Sequence, residues 1–378
     1  MLLKKAAQAL QPYLQVPEEQ ILDWLEIPRS SELGDAALPC FHLGKQWRKS
    51  PQAIAHEFAG QLKALPNTHG ITCSAAGPYL NLSFDRSVYG KLLLTEILQT
   101  GFGQSQSGQG ARVIIDMSSP NIAKPFGIGH LRSTVIGNAL YRLYKETGSE
   151  PVRVNHLGDW GTQFGKMIAA YKHWGTPETL EHNSIKACLD LYVKFHEEAE
   201  HRPELEDEAR EWFRKLEQGD EETVRLWSKF IQISMKEFKR MYEKLGVSFD
   251  YTLGESFYND KMAEVVALLR EKRLLELSEG AYVVRLDERN LPPCLILKSN
   301  GTTIYPARDL ATALYRHREM KGDRLLYVVG MEQTLHFEQV FAVLEKAGFD
   351  WAESCEHIGF GLMRFEGKKR CPHAKERL

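Results

Sequence analysis

The stretch from Ser118 to Ser133, Ser-Ser-Pro-Asn-Ile-Ala-Lys-Pro-Phe-Gly-Ile-Gly-His-Leu-Arg-Ser, constrains this chain more than any other. It lies between a β-branched run, Val113-Ile114-Ile115, and an amphipathic pattern that predicts a helix to about Gly148. The glycines and the histidine therefore fall where a βα turn meets a helix N-terminus. Unpaired N–H groups and the positive end of the helix dipole make such a place a polyphosphate site. Gly127 and Gly129 let backbone and nucleotide approach closely, and His130 has a ring N–H to offer a phosphate oxygen. An ordinary strand–turn–helix is the alternative these residues leave open by themselves. A dinucleotide-binding turn would want a third glycine at position 132, where the chain has Arg132, so the nicotinamide or flavin reading loses its fingerprint.

From Ala111 onward, strand-like and helical segments alternate, which predicts an α/β fold with a parallel sheet and crossover helices. Residues 171–254 interrupt that alternation with charged helical stretches. In one of them, Val224 to Leu245, the apolar Leu226, Phe230, Ile233 and Phe238 recur at helical spacing. Strand-like runs resume at Tyr282-Val283-Val284, Cys294-Leu295-Ile296-Leu297 and Leu325 to Val329. Residues 1–103 read as a separate α+β unit, with helices near Leu2 to Leu14 and Pro51 to Leu65 and strands near Ile71 and Tyr79. The polar run 104–110 has the composition of a linker.

The signature run resembles the nucleotide loop of class I aminoacyl-tRNA synthetases, in the version found in arginyl-tRNA synthetases. Further blocks carry the same resemblance: Asn155-His156-Leu157-Gly158-Asp159-Trp160-Gly161-Thr162-Gln163-Phe164-Gly165, Tyr305-Pro306-Ala307-Arg308-Asp309-Leu310-Ala311, Tyr327 to Phe341, and Gly359-Phe360-Gly361-Leu362-Met363. It implies a Rossmann-like catalytic domain over 111–378 with a helical insertion at 171–254. The 1–103 unit, with Glu32-Leu33-Gly34-Asp35 and Leu38-Pro39-Cys40-Phe41, is similar to the family's amino-terminal tRNA-contacting domain. The implied reaction joins L-arginine to tRNA(Arg) through an arginyl-adenylate, and in this family adenylate formation generally requires tRNA.

Carried over by motif, the acids Asp309 and Glu255 hold the substrate guanidinium, whose five donors and permanent charge demand carboxylates. Tyr305 packs on its planar stem, and Asn121 and Gln333 meet the α-amino and carboxylate groups. His130 and Lys124 stabilise charge on the phosphates, with Gly127 and Gly129 framing ATP. His156 is an adenosine-side contact or a structural residue, and His336 meets adenine or ribose or is structural. ATP enters with Mg²⁺ bound mainly by its phosphates, so no protein metal cage is expected. Phe41 stacks on an exposed base or belongs to the core.

The formal charge of −2 leaves phosphate affinity to local patches, such as Lys45, Arg48 and Lys49, for which a solvated helix face is the alternative. Acids concentrate instead between Glu197 and Glu222. The scattered cysteines contain no Cys-x-x-Cys pair, which argues against a zinc knuckle and suits a reducing cytosol. No run approaches the ~20 apolar residues that span a bilayer, so no membrane partner is expected; a cytoplasmic monomer is expected alongside the family resemblance.

Two departures from the family pattern bear on activity. Gly127 stands where the signature tetrad normally begins with histidine, so one phosphate donor is missing. After Lys369 the family's mobile lysine-bearing loop and anticodon-binding domain do not follow. With one choice of synonymous codons, 370–378 read two nucleotides on gives Met-Ser-Pro-Arg-Lys-Gly-Thr-Ala, similar to that loop. The expectation is therefore a reading-frame change at the carboxyl end. A noncatalytic relative that binds tRNA, arginine or ATP is the competing class.

Overall fold

A computed structural model of the chain describes residues 2–63, 70–178, 185–299, 301 and 303–361. The expectations on 362–378, and on the last residues of the second predicted helix, lie outside these. The backbone divides into two compact units, Met1–Gly103 and Gln104–Leu378.

The first unit runs α1 (Leu2–Leu14), α2 (Glu18–Trp24), β1 (Ala36–Pro39), α3 (Phe41–Trp47), α4 (Pro51–Lys63), β2 (Ile71–Ala76), β3 (Tyr79–Phe84) and α5 (Arg86–Ile97). Its strands form an antiparallel sheet in the order β1-β3-β2. The helices cover it because their apolar residues repeat every three to four positions. Leu10, Leu14, Ile21, Leu43, Ile54 and Phe58 pack with Leu38, Leu80 and Leu82. Asp85 starts α5 by accepting the N–H groups of Ser87 and Val88.

The second unit runs β4 (Arg112–Asp116), α6 (Ile128–Glu146), β5 (Glu150–Asn155), α7 (Thr162–Trp174), α8 (Ile185–Ala199), α9 (Glu204–Glu217), α10 (Glu221–Leu245), β6 (Tyr251–Thr252), α11 (Met262–Glu271), β7 (Glu276–Ser278), β8 (Ala281–Leu286), β9 (Leu291–Leu297), α12 (Tyr305–Arg318), β10 (Arg324–Tyr327), α13 (Thr334–Lys346) and β11 (Cys355–His357). A parallel sheet has the order β11-β10-β4-β5-β6. The chain leaves β4 toward β5 on one side and β10 toward β11 on the other. The switch point therefore lies between β4 and β10, and ligands of such sheets bind beyond the carboxyl ends of the strands there.

One expectation changes in detail. The runs at 282–284 and 294–297 do not join the parallel sheet; they form a separate antiparallel sheet, β7-β8-β9. The reason is the connection: β8 turns into β9 through the short turn Asp287–Arg289 and the left-handed Asn290, whereas parallel neighbours need a crossover of a dozen or more residues. In the run 104–110, Ser105 and Gly108 donate to Glu146 and Thr147 at the end of α6.

The helical layer begins with α7, ahead of Tyr171. A Cβ on Gly165 would lie 2.0 Å from the Ala209 carbonyl, so glycine lets α7 and α9 touch along their backbones. In α10, Leu226, Phe230, Ile233 and Phe238 are all buried, as their spacing predicts. The acids of α9 form paired surface faces: Glu206 with Lys166, Glu208 with His173, Glu211 with Arg214.

Candidate nucleotide and amino-acid site

The site is assembled from the segments that follow β4, β5, β6 and β10 and from the first turns of α12. The apolar strand β4 ends on Asp116, whose carboxylate is buried against the guanidinium of Arg316 from α12 at 2.7 Å. Ser119 donates to the same carboxylate at 2.9 Å. The loop then runs beside the segment after β5: Asn121 bridges Gly158, and a Cβ on Gly158 would stand 2.3 Å from Asn121 Oδ1. Glycine at 158 thus makes room for the Asn121 side chain.

Gly127 is the N-cap of α6, and its N–H donates to Nδ1 of His130 at 3.0 Å. With Nδ1 accepting, the neutral imidazole carries its proton on Nε2. His130 thus sits in the first turn of a long helix, bonded to the residue that caps it. Gly129 meets nothing within 4 Å on its Cβ side, so no packing of the protein itself demands glycine there. Lys124 sits with its Nζ 5.4 Å from the ring centre of Tyr192 on α8, facing the helical layer.

After β5, His156 has its Nδ1 sealed from solvent with no partner among the described residues. Burial pushes its pKa down and keeps the ring neutral. Asp159 is 6% exposed and accepts from the Ser256 N–H at 2.8 Å and the Ser256 hydroxyl at 2.7 Å. A Cβ on Gly254 would lie 2.2 Å from that carboxylate. Asp159 therefore braces the turn Gly254-Glu255-Ser256 that presents Glu255.

Glu255 and Asp309, the acids expected to hold a guanidinium, both have partners. Glu255 Oε2 accepts from Arg308 Nη1 at 3.0 Å, while Arg308 Nη2 reaches Asn259 Oδ1 at 3.4 Å. Burial raises the Glu255 carboxyl to about 7; Arg308 opposes the shift, and Asp309 and Asp159 add to it. Asp309 Oδ2 lies 2.6 Å from Nε2 of His336 on α13. The pairs Glu255–Arg308 and Asp309–His336 thus adjoin through the neighbours Arg308 and Asp309 as a row of polar groups. Tyr305 is 71% exposed at the start of α12, and Gln333 is exposed just before α13. The structure gives neither of them, nor Asn121, a direct contact with that row.

In the first unit, Phe41 is 54% exposed and packs edge-on to Tyr79, with ring centres 6.0 Å apart. Arg48 ends α3 in the left-handed region and is exposed. Lys49 is paired with Glu57 at 2.5 Å, which removes it as an isolated charge. The Lys45 side chain lies outside what is described. Among the described residues no His, Cys, Asp or Glu cluster could hold a metal ion, and no helix is long and apolar enough to cross a membrane.

Sequence reasoning assigned no part to Arg308, Asp116, Arg316, Ser234 or Tyr242. Asp116 left a signal as the acid that closes a strand with an apolar centre, and Arg308 left one by lying inside a recognised block.

Comparison with known proteins bears on the family and the fold of the chain. The model of "tRNA synthetases class I (R), catalytic domain" matches residues 93–375, and that of "Arginyl tRNA synthetase N terminal domain" matches 1–84. The arginine–tRNA ligase of Clostridium perfringens is 50% identical over 369 residues, covering 97% of this chain and 65% of that protein. That of Pediococcus pentosaceus is 49% identical over 370 residues, with the same coverage, 97% and 65%. Arginyl-tRNA synthetase from Plasmodium falciparum superposes with a TM-score of 0.68 at 25% identity, over 94% of this chain and 65% of that one. The Thermus thermophilus enzyme shares the fold, with a TM-score of 0.66 at 23% identity over 95% and 65% of the two chains. The chain thus spans just under two thirds of the length of these relatives. With the catalytic-domain model covering most of its residues, the chain belongs to the arginyl-tRNA synthetase family of class I.

Proposed function

We propose that the chain activates L-arginine with ATP and transfers it to tRNA(Arg). The arginine carboxylate attacks the α-phosphorus, pyrophosphate leaves, and arginyl-adenylate remains. A terminal ribose hydroxyl of tRNA then attacks the acyl carbonyl, and AMP leaves. The substrate carboxylate is already a nucleophile, so the protein's task is to place reactants and stabilise charge. The α6 N-terminus and His130 serve the phosphates, and His156 and His336 serve the adenosine side. Glu255 and Asp309 receive the guanidinium, Tyr305 covers its stem, and Asn121 and Gln333 take the α-amino and carboxylate groups. Lys124 supplies a second positive group once the loop meets ATP. Mg²⁺ arrives on the nucleotide. The protein acts as a monomer, and in its first unit Phe41, Lys45, Arg48 and Lys49 form the tRNA face.

The observation that carries this reading is the pair Glu255 and Asp309, two acids held beyond the sheet's carboxyl edge in a row with Arg308 and His336. A binding-only relative is favoured by one feature, Gly127, which offers no side-chain donor. ATP–pyrophosphate exchange with arginine, run with and without tRNA(Arg), separates the two. Arginine-dependent exchange in the presence of tRNA is the expected result; binding of arginine and ATP without exchange would favour the second reading.

A further inference from the structure

The loop after β4 is built from backbone conformations that L-residues avoid. Ser118, Ser119 and Ala123 have φ of 75°, 49° and 63°, and none is glycine. Each of their N–H groups reaches a buried side-chain oxygen, and that of Ser119 is shared with the Met117 carbonyl at 3.1 Å. Ser118 N–H donates to Ser133 Oγ at 2.8 Å, Ser119 N–H to Asn155 Oδ1 at 3.2 Å, and Ala123 N–H to Ser234 Oγ at 2.9 Å. Ser133 is 5% exposed, and Asn155 and Ser234 are 0% exposed. The acceptors are themselves oriented: Ser133 Oγ donates its proton to the Val328 carbonyl at 2.6 Å and Ser234 Oγ to the Phe230 carbonyl at 2.9 Å, leaving lone pairs for the loop.

The long helix α10 touches this arrangement twice. Besides Ser234, its Tyr242 hydroxyl accepts from Asn155 Nδ2 at 3.1 Å and lies 2.8 Å from Ser118 Oγ. Nearer its N-terminus, Trp227 Nε1 donates to the Asp159 carbonyl at 2.7 Å, and the Asp159 carboxylate braces the turn of Glu255. One helix of the inserted layer is therefore bonded to the segments on both sides of the site.

We propose that α10 is a strut that holds the nucleotide loop in its strained, ligand-ready conformation, with Ser234 and Tyr242 as positioning residues for ATP rather than groups that touch it. Strained backbone persists only where its surroundings over-determine it, and here the surroundings include a helix that the sheet alone would not need. Displacing α10 releases the loop, so the helical layer and the phosphate site are coupled. The assignment of ATP rests on the function proposed above; the mechanical coupling does not.

The test is a double-mutant cycle. Ser234→Ala leaves the Ala123 N–H without its acceptor and is expected to weaken binding of Mg-ATP, followed by calorimetry, by about tenfold. Glycine accepts positive φ without strain, so Ala123→Gly added to Ser234→Ala should restore most of the loss. A packing role for Ser234 alone would show no such rescue. Tyr242→Phe keeps the ring in place and should also weaken ATP, which provides the comparison if Ser234→Ala does not fold. Amide exchange at residue 123 in the ligand-free chain reads the same contact without ATP, and should accelerate by about tenfold or more in Ser234→Ala. Unchanged exchange at that amide, or ATP affinities equal in Ser234→Ala, Tyr242→Phe and parent, would overturn the strut. A parent chain that binds no ATP would instead remove the nucleotide reading, and the exchange result would still decide the coupling.

Discussion

The guanidinium of Arg308 lies 3.0 Å from the carboxylate of Glu255, so the chain sets an arginine side chain of its own against one of the acids expected to receive the substrate's. Asp309, the next residue, faces His336 instead. Two acids therefore each have a protein partner. The partners differ in kind: Arg308 is permanently charged, whereas His336 carries charge only when protonated. Arg308 keeps Glu255 closer to its ionised form in a place where burial favours the neutral one.

Arginine binding is expected to release a proton. The Glu255 carboxyl stands at about 7 in the folded chain against a usual 4.5, so its ionisation costs stability as pH rises between those values. A bound guanidinium favours the ionised form, pulls the value down, and drives the proton off. Calorimetry in buffers of different ionisation enthalpy should show release of most of one proton at about pH 6 and almost none near pH 8.5. Arginine affinity should rise over the same interval. In Glu255→Gln both effects should vanish; an unchanged proton release in that variant would assign the proton to another group.

Gly127→His is expected to raise turnover. The position has φ −100° and only His130 Nδ1, at 4.0 Å, near an added Cβ, so a side chain fits without backbone strain. A preorganised donor to transition-state charge is worth roughly 3–4 kcal/mol. The gain should appear in kcat of tRNA-dependent pyrophosphate exchange, with arginine KM unchanged. No gain in a folded variant would show that the missing donor does not limit the chain.

Asp116→Ala should destabilise the second unit by about 3–5 kcal/mol, because it strands the buried charge of Arg316. Asp116 keeps that guanidinium protonated despite full burial. The urea midpoint of the second unit's transition measures this. A loss below about 1 kcal/mol would mean that Arg316 is compensated elsewhere.

Much of the architecture was legible because its signals are local. The βα turn at Gly127 and the apolar face of α10 follow from spacing within a few residues. The β8–β9 hairpin was misplaced because its strands read like those of the parallel sheet; the short turn at Asp287–Arg289 decides the pairing. The loop's supports were not legible at all. Ser234 meets Ala123 across 111 positions and Tyr242 meets Ser118 across 124, and no local pattern marks a serine or tyrosine on a helix as a brace for a distant loop. Arg308 lay inside a recognised block, yet its pairing with Glu255 depends on how α12 docks beside the turn after Gly254.

The central claim is that Glu255 and Asp309 make a guanidinium site, and comparing arginine with citrulline tests it most directly. Citrulline keeps the length and planarity of the side chain and lacks the charge. Titrated by calorimetry in the presence of tRNA, the parent chain should bind arginine at least about a hundredfold more tightly than citrulline, since citrulline brings no charge to two half-buried carboxylates. Asp309→Asn should lose most of that preference while binding ATP as before. Equal affinities for arginine and citrulline in the parent, or a preference untouched by Asp309→Asn, would contradict the account.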